Sequence, residues 1–326
     1  MRSIVRLWLN TFPRIGETAD IARVAEDAGF FGVLLTDSQC LAPDPFVELG
    51  AVARVTDRLH LGTCTTNVLT RHVSVVANLA ATLQADSSGR MHLGVARGDS
   101  AVRKVGLDPA TPEQFGQALS ELRGLLAGAT PSVSATDSSL QWLDPSTSAT
   151  PVLGVASGPR SITAAARHAD GLILQVGTDP EVIRHFVELI RTTTPRPDFR
   201  ILLYVIVGLS DDRGPDSTVL GVTPLLARMA AEPLRDLGAQ QAPVAEAAAQ
   251  SYSLATHGLS AAQGAVDGAL EYAITGTVDE CADQLVALSG TGCDELVVIL
   301  GSMDTPTSQL LDLIRTVGTS IGPRLT

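Results

Sequence analysis

The sequence predicts a single (β/α)8 TIM barrel spanning 1–326, with insertions after the fourth helix and between the seventh and eighth strands. Three observations lead there. Short apolar runs recur eight times, at 4–10, 32–36, 59–63, 91–95, 152–156, 171–176, 200–207 and 295–300. Stretches of helical period lie between them, at 18–28, 45–55, 73–85, 112–126, 159–169, 180–192 and 279–288. Pro45, Pro112, Pro159 and Pro180 each stand where a first helical turn begins, a position whose N–H has no helical partner to lose. Strand followed by helix, repeated in this way, closes as a parallel barrel.

In chain order, the first helix has Ala19, Ala22, Val24 and Ala25 on its apolar side and Gly29 as its stop. The proline-led helices follow in turn. Residues 128–150 are rich in Ser and Thr and read as a surface excursion with a hairpin around 140–143. Residues 211–270 are rich in Ala, Leu and Gln and read as an insertion of two or three helices. No linker marks a second domain.

Composition narrows the function. With 45% hydrophobic but only 4% aromatic residues, the core is built from Ala, Val and Leu. A net charge of −12 argues against a nucleic-acid surface, which needs clustered cations. Cys40, Cys64, Cys281 and Cys293 follow no metal-ligand or disulfide spacing and read as buried or loop thiols in a reducing cytoplasm. The opening MRSIVRLWLN is too short and too charged for a signal peptide, and no apolar run is long enough to span a membrane. The expected location is cytoplasmic. Walker, Gly-x-Ser-x-Gly and zinc patterns are absent, so P-loop, hydrolase and metalloenzyme readings carry little weight.

In such barrels chemistry gathers on the loops after the strands. The third strand runs into LGTCTTNVLTRH, where small and hydroxyl residues, Cys64, Thr65 and Asn67 among them, let a ligand lie against backbone. Asn67 either holds a ring carbonyl or merely a turn. Asp37 and Asp99 end the second and fourth strands. Two carboxylates over one site push one pKa upward and provide an acid; otherwise each is an Asx turn or a helix cap. Arg97 and Gly98 stand beside Asp99. His72 is either an acid–base group or a hydrogen-bonded loop residue. The fifth loop, Ala156, Ser157 and Gly158 before Pro159, brings a glycine to a helix start, where exposed N–H groups favour a phosphate. Ser157 would otherwise be a plain cap. Gly177 and Thr178 end the next strand and either close the other side of that phosphate site or, for Gly177, make a plain turn.

Together these segments resemble the bacterial-luciferase-like superfamily of flavin and deazaflavin oxidoreductases. TTNVLTRH at 65–72 is similar to its TNPxTRHP pattern, and ATLQADSSGRMHLGVARGDSAVRKVGLDPA at 81–110 to its ATL…SGGR…LGxGxGDS core. ASGPRSITAAARHADGLIL at 156–174 is similar to its phosphate-binding helix, and TGTVDECADQL at 275–285 to its GTPEE…L turn. The branch it resembles contains the F420-dependent methylenetetrahydromethanopterin reductase and the deazaflavin-dependent glucose-6-phosphate and alcohol dehydrogenases. The resemblance implies a cis peptide at Cys64–Thr65 against the cofactor face, acidic residues at Asp37 and Asp99, and a phosphate loop at Ala156, Ser157 and Gly158. Three departures set the chain apart. Ser38 stands where the dehydrogenases carry a catalytic His, Val68 and Val73 replace the prolines of the pattern, and the first strand offers Trp8 and Asn10 instead of the reductase's Glu.

The resemblance implies a coenzyme F420-dependent oxidoreductase, a reductase of a C=C or C=N bond in a small organic substrate. In it Asp37 or Asp99 protonates the product, with His72 as a further acid–base candidate. An FMN-dependent monooxygenase using reduced flavin and O2 is the alternative, and a catalytically degenerate ligand-binding barrel a third. A homodimer, served by a separate F420 or flavin reductase system, completes the expectation.

Overall fold

Successive strand residues fall alternately into two separate apolar clusters, and this division organises the molecule. Trp8, Leu34, Leu153, Ile173, Leu202, Tyr204, Val297 and Ile299 pack in one cluster. Leu7, Leu9, Val33, Leu35, Leu61, Leu93, Leu203 and Val298 pack in the other, together with the apolar faces of the helices. A pleated strand points successive side chains to opposite faces, so the first set fills a barrel interior and the second meets a helical jacket. The computed structural model describes residues 5–144, 146–210, 219, 222–240, 242–251 and 272–325.

The eight expected strands are β1 Arg6–Thr11, β2 Gly32–Leu35, β3 His60–Asn67, β4 Met91–Ala96, β7 Val152–Ala156, β8 Gly171–Leu174, β9 Arg200–Leu209 and β11 Glu295–Ile299. All pair in parallel, in the order β1-β2-β3-β4-β7-β8-β9-β11, and β11 returns to β1 to close the ring. The fold is a (β/α)8 TIM barrel. A short β10, Ile274–Gly276, lies along the end of β9.

Around the ring stand α1 Thr18–Asp27, α2 Pro45–Val55, α3 Val73–Asp86, a single turn α4 Ser100–Arg103, α5 Pro112–Leu126, α6 Pro159–His168 and α7 Pro180–Thr193. Helices Val278–Ser289 and Thr307–Thr316 complete the circle. The four prolines open α2, α5, α6 and α7 as the sequence predicts. Asp44 caps α2, accepting from Phe46 N at 2.8 Å, and Thr111 and Gln114 form a reciprocal capping box on α5. Among the described residues no helix is long and apolar enough to cross a membrane.

Two differences from the sequence reading have physical causes. β3 continues to Asn67, four residues past the expected end, because its polar residues find strand partners. Thr63 Oγ1 donates to Gly94 O at 2.8 Å, and Thr65 Oγ1 reaches the same carbonyl at 3.3 Å. Gly94 admits this approach, since a Cβ there would lie 2.0 Å from Thr63 O. The Cys64–Thr65 peptide is cis, as the family resemblance implies, and pairing with β4 resumes after a register shift at Thr66↔Val95. The hairpin of the first insertion is β5 Ser132–Val133 with β6 Thr136–Asp137, not 140–143. Leu140 and Leu143 instead form a turn packed on the outer core. The second insertion contains helices Thr223–Met229, Ala231–Asp236 and Ala242–Ser251; its residues 211–218, 220–221, 241 and 252–270 lie outside the described residues. The four cysteines are thiols, Cys40 exposed and the other three buried.

The N-terminal end of the barrel is closed by charge and aromatic rings together. Glu295, the first residue of β11, accepts from Arg200 at 3.1 Å, from Arg6 at 3.4 Å and from the Trp8 indole. Arg200 also meets His92 Nδ1 at 2.9 Å, and His92 Nε2 lies 3.0 Å from His60 Nδ1. Trp8 stands edge-on to His92 and Phe31, both at 4.9 Å between ring centroids. Burial, then Arg6 and Arg200, push His60 from 6.5 down to about 4. Burial, then Arg200, holds His92 well below 6.5.

Both rings are therefore neutral in the folded chain and take up protons on unfolding once the pH drops below their unfolded value. The stability they support is complete above pH 6.5 and is lost as the pH falls through 6.5, for His60 down to about 4. Urea unfolding of the wild type should show a loss of up to ~1.4 kcal/mol per pH unit for each histidine in that window. The His60→Gln/His92→Gln double variant should flatten the slope, and an unchanged slope would assign it to other groups.

Candidate active site

The C-terminal ends of the strands open on a cavity of about 480 Å³. Its floor is fixed by Asn10, which follows Trp8 in the inward series of β1. Asn10 Nδ2 donates to Leu34 O at 2.9 Å and Cys64 O at 3.2 Å, while Tyr204 Oη donates to Asn10 Oδ1 at 2.7 Å. One amide thereby ties β1 to β2, β3 and β9. Cys64 is part of this floor, and burial pushes its thiol up to about 12, so it packs as a neutral, inert group.

On the wall formed by β2 and β3, Asp37 is fully buried. Its Oδ2 accepts from Thr66 Oγ1 at 2.7 Å and from Arg71, whose second amino group reaches Asp44 at 2.7 Å. Asn67 Oδ1 accepts from Leu69 N at 3.0 Å and Thr70 N at 2.9 Å and so shapes the turn after β3. On the β4 side, Arg97 donates to Ala110 O and lies 3.5 Å from Ser161 Oγ. Gly98, at φ +88°, permits a turn where a Cβ would run into Val102. Asp99 is bound by Arg228 of the insertion and by Arg103 at 3.5 Å. At the end of β7, Gly158 is the cap of α6, with no side chain serving the helix start, so Ser157 is not its cap. A Cβ on Gly158 would meet nothing within 4 Å.

Ten of the thirteen predicted positions line this cavity: Asp37, Cys64, Thr65, Asn67, Arg97, Gly98, Asp99, Ala156, Ser157 and Gly158. Gly177 lines a small adjoining recess with Gln175, Tyr204 and Tyr272, and Thr178 lines neither space. His72 lies outside as well. It caps α3, accepting from Ser74 N at 3.3 Å, and its Nε2 reaches Ser134 Oγ at 3.2 Å. The chain turns outward after Asn67, which carries His72 to the surface and leaves Arg71 to face Asp37. The expectation of two carboxylates acting on each other is also revised, since each is bound by arginine instead.

Sequence reasoning missed Asn10, Arg71, Tyr204, Gln175 and Arg228. Parity would have found three of them, because Asn10, Gln175 and Tyr204 continue the inward series of Trp8, Ile173 and Leu202. Arg228 had no local signal; it reaches Asp99 only because the insertion folds back over the barrel mouth. Four buried atoms around the cavity have no partner among the described residues: Asp37 Oδ1, Ser38 Oγ, Asn67 Nδ2 and Gln175 Oε1. Buried polar atoms are nearly always hydrogen-bonded, so four at one cavity point to a polar ligand. Among the described residues no His, Cys, Asp or Glu cluster is arranged to hold a metal ion.

The sequence pattern of the luciferase-like monooxygenase family matches residues 4–295, and the chain belongs to this family. Among curated relatives, an F420-dependent glucose-6-phosphate dehydrogenase of Microbacterium testaceum is 33% identical over 51% of this chain and 54% of its own length. The chain thus aligns with about half the length of that relative. A phthiodiolone/phenolphthiodiolone dimycocerosates ketoreductase of Mycobacterium tuberculosis is 27% identical over 81% of this chain and 75% of that one. The fold is shared with the F420-dependent tetrahydromethanopterin reductase of Methanopyrus kandleri, at TM-score 0.75 and 20% identity over 99% of this chain and 100% of that one. It is shared too with a monooxygenase of Streptomyces bottropensis, at TM-score 0.71 and 21% identity over 98% and 100%.

The two carboxylates differ in burial, and their variants should differ accordingly. Asp37→Asn leaves Arg71 facing a neutral partner at a side chain with 0% exposure, and should cost about 3 kcal/mol in urea unfolding. Asp99→Asn, at 26% exposure, should cost no more than about 1 kcal/mol. The reverse order would show that the Asp37 pair does not hold the wall.

Proposed function

We propose that the protein is a coenzyme F420-dependent oxidoreductase, a reductase of a C=C or C=N bond in a small organic substrate. The observation that carries this reading is the set of four unpartnered polar atoms around one cavity, beside a glycine with open space at a helix start. A planar heterocycle with alternating donors and acceptors, joined to a phosphate, has the chemistry to satisfy them. One relative's name carries the cofactor, an F420-dependent dehydrogenase, and another's carries the reaction class, a ketoreductase.

In this reading Asp37 Oδ1 accepts a hydrogen bond from a ring N–H, and Asn67 Nδ2 donates to a ring carbonyl. Arg71 and Thr66 keep the Asp37 carboxylate aimed by occupying its other oxygen. Ser38 and Gln175 supply a hydroxyl and a further acceptor. Ser157 and Gly158 meet the phosphate at the start of α6, where the helix dipole favours negative charge. When bound in its reduced form, a deazaflavin supplies a hydride from C5 of its central ring. Arg71 and Arg228 hold Asp37 and Asp99 in place, so we assign both carboxylates to orientation and the product's proton to water at the cavity mouth. A cytoplasmic homodimer, supplied with reduced cofactor by a separate reductase, completes the proposal.

Fluorescence titration of the apoprotein tests it. Oxidised F420 should bind at least about tenfold more tightly than FMN, a difference of ~1.4 kcal/mol. Tighter binding of FMN would replace the proposal with a flavin-dependent monooxygenase. Gly158 has extended backbone with φ −85° and free space beyond it, so Gly158→Val should fold, with a stability loss within about 1 kcal/mol. The added side chain should weaken F420 binding by about tenfold or more, or ~1.4 kcal/mol. Unchanged affinity would put the phosphate elsewhere.

A further inference from the structure

The cavity has two unlike halves. β3, β4, β7 and β8 lead to small or polar groups such as Thr65, Asn67, Gly98, Ser157 and Gln175. Across the ring, β1 and β11 lie side by side and lead to Phe12, Ile299 and Met303. Over them the insertion helix Thr223–Met229 adds Leu225, Leu226 and Met229. Phe12, Leu225, Leu226, Met229 and Met303 are only half-buried, so their apolar surface is left for something to cover.

Charge on this second half is sparse. Among the described lining residues there, Arg228 is the single cation, and it is bound by Asp99. Glu232 stands exposed on the following helix. A phosphate or carboxylate entering here would give up water without gaining a cation of its own, which is costly. An apolar group entering here loses nothing and covers the exposed side chains.

We propose that the substrate is an uncharged molecule whose apolar body packs against Phe12, Leu225, Leu226 and Met229. The proposal rests on the reading of this cavity as a joint cofactor and substrate site. It differs from an anionic substrate such as a sugar phosphate. Because Leu225, Leu226 and Met229 come from the insertion, part of the selectivity for this body lies in residues the barrel itself does not supply.

Calorimetric titration with non-reacting probes tests this without turnover. 2-Butanone, 2-hexanone and 2-octanone are titrated into protein loaded with oxidised F420, and into protein alone. Affinity should climb up to about fourfold per methylene, the equivalent of ~0.8 kcal/mol for burying each one. 7-Oxooctanoate, which places a carboxylate at the far end of the same chain, should bind at least about tenfold more weakly than 2-octanone. Met229→Lys should weaken 2-octanone and strengthen 7-oxooctanoate. A flat ketone series, or a carboxylate that binds the wild type as tightly as the ketone, overturns the proposal even where F420 binds well. A rising ketone series on protein that fails to bind F420 supports the apolar site and overturns the cofactor reading instead.

Discussion

A closed ring of parallel strands has one interior and two different ends, and nearly everything else in this molecule answers to that constraint. Inward side chains must fill the cylinder at one end and leave it open at the other. At the N-terminal end the chain uses Trp8, His60, His92 and Arg200 around Glu295, a plug that is bulky and fully hydrogen-bonded. At the C-terminal end it uses Asn10, Cys64 and Gln175, which are too small or too polar to close the space. The cavity is the consequence of this gradient along the barrel axis.

Asn10 marks the level at which filling stops. Its amide gives both protons to neighbouring strands and accepts one from Tyr204, so the floor beneath the cavity is tied to three strands and that side chain has no N–H to spare. The polar atoms without partners lie above it, on Asp37, Ser38, Asn67 and Gln175. A satisfied floor beneath an unsatisfied wall orients a ligand from the side, which is how a flat heterocycle is held with one face open to a substrate.

The wall itself depends on charges recruited from outside the barrel. Arg71 reaches Asp37 from the loop after β3, and Arg228 reaches Asp99 from the insertion. Each arginine turns a carboxylate at a strand end into a strut. The insertion therefore acts twice, through Arg228 as a brace and through Leu225, Leu226 and Met229 as an apolar roof. That arrangement leaves the two halves of the site with different chemistry, one polar and made by the barrel, the other apolar and completed by an added segment.

The sequence by itself determined the eight strands, the proline-led helices and the small and polar residues that rim the mouth, because each rests on local physics. Apolar spacing selects the element, a proline marks a first turn, and a glycine permits a close approach whatever lies far away in the chain. The cis peptide at Cys64–Thr65 was legible through family resemblance, since no local preference points to it. Tertiary structure decided which polar residue faces the cavity. His72 and Arg71 are adjacent in sequence, yet one caps α3 at the surface and the other pairs with Asp37, a choice made by the path of the chain after Asn67. Arg228 meets Asp99 across 129 residues of sequence. No window of sequence contains both partners, and the pairing exists only because the insertion folds back over the mouth of the barrel.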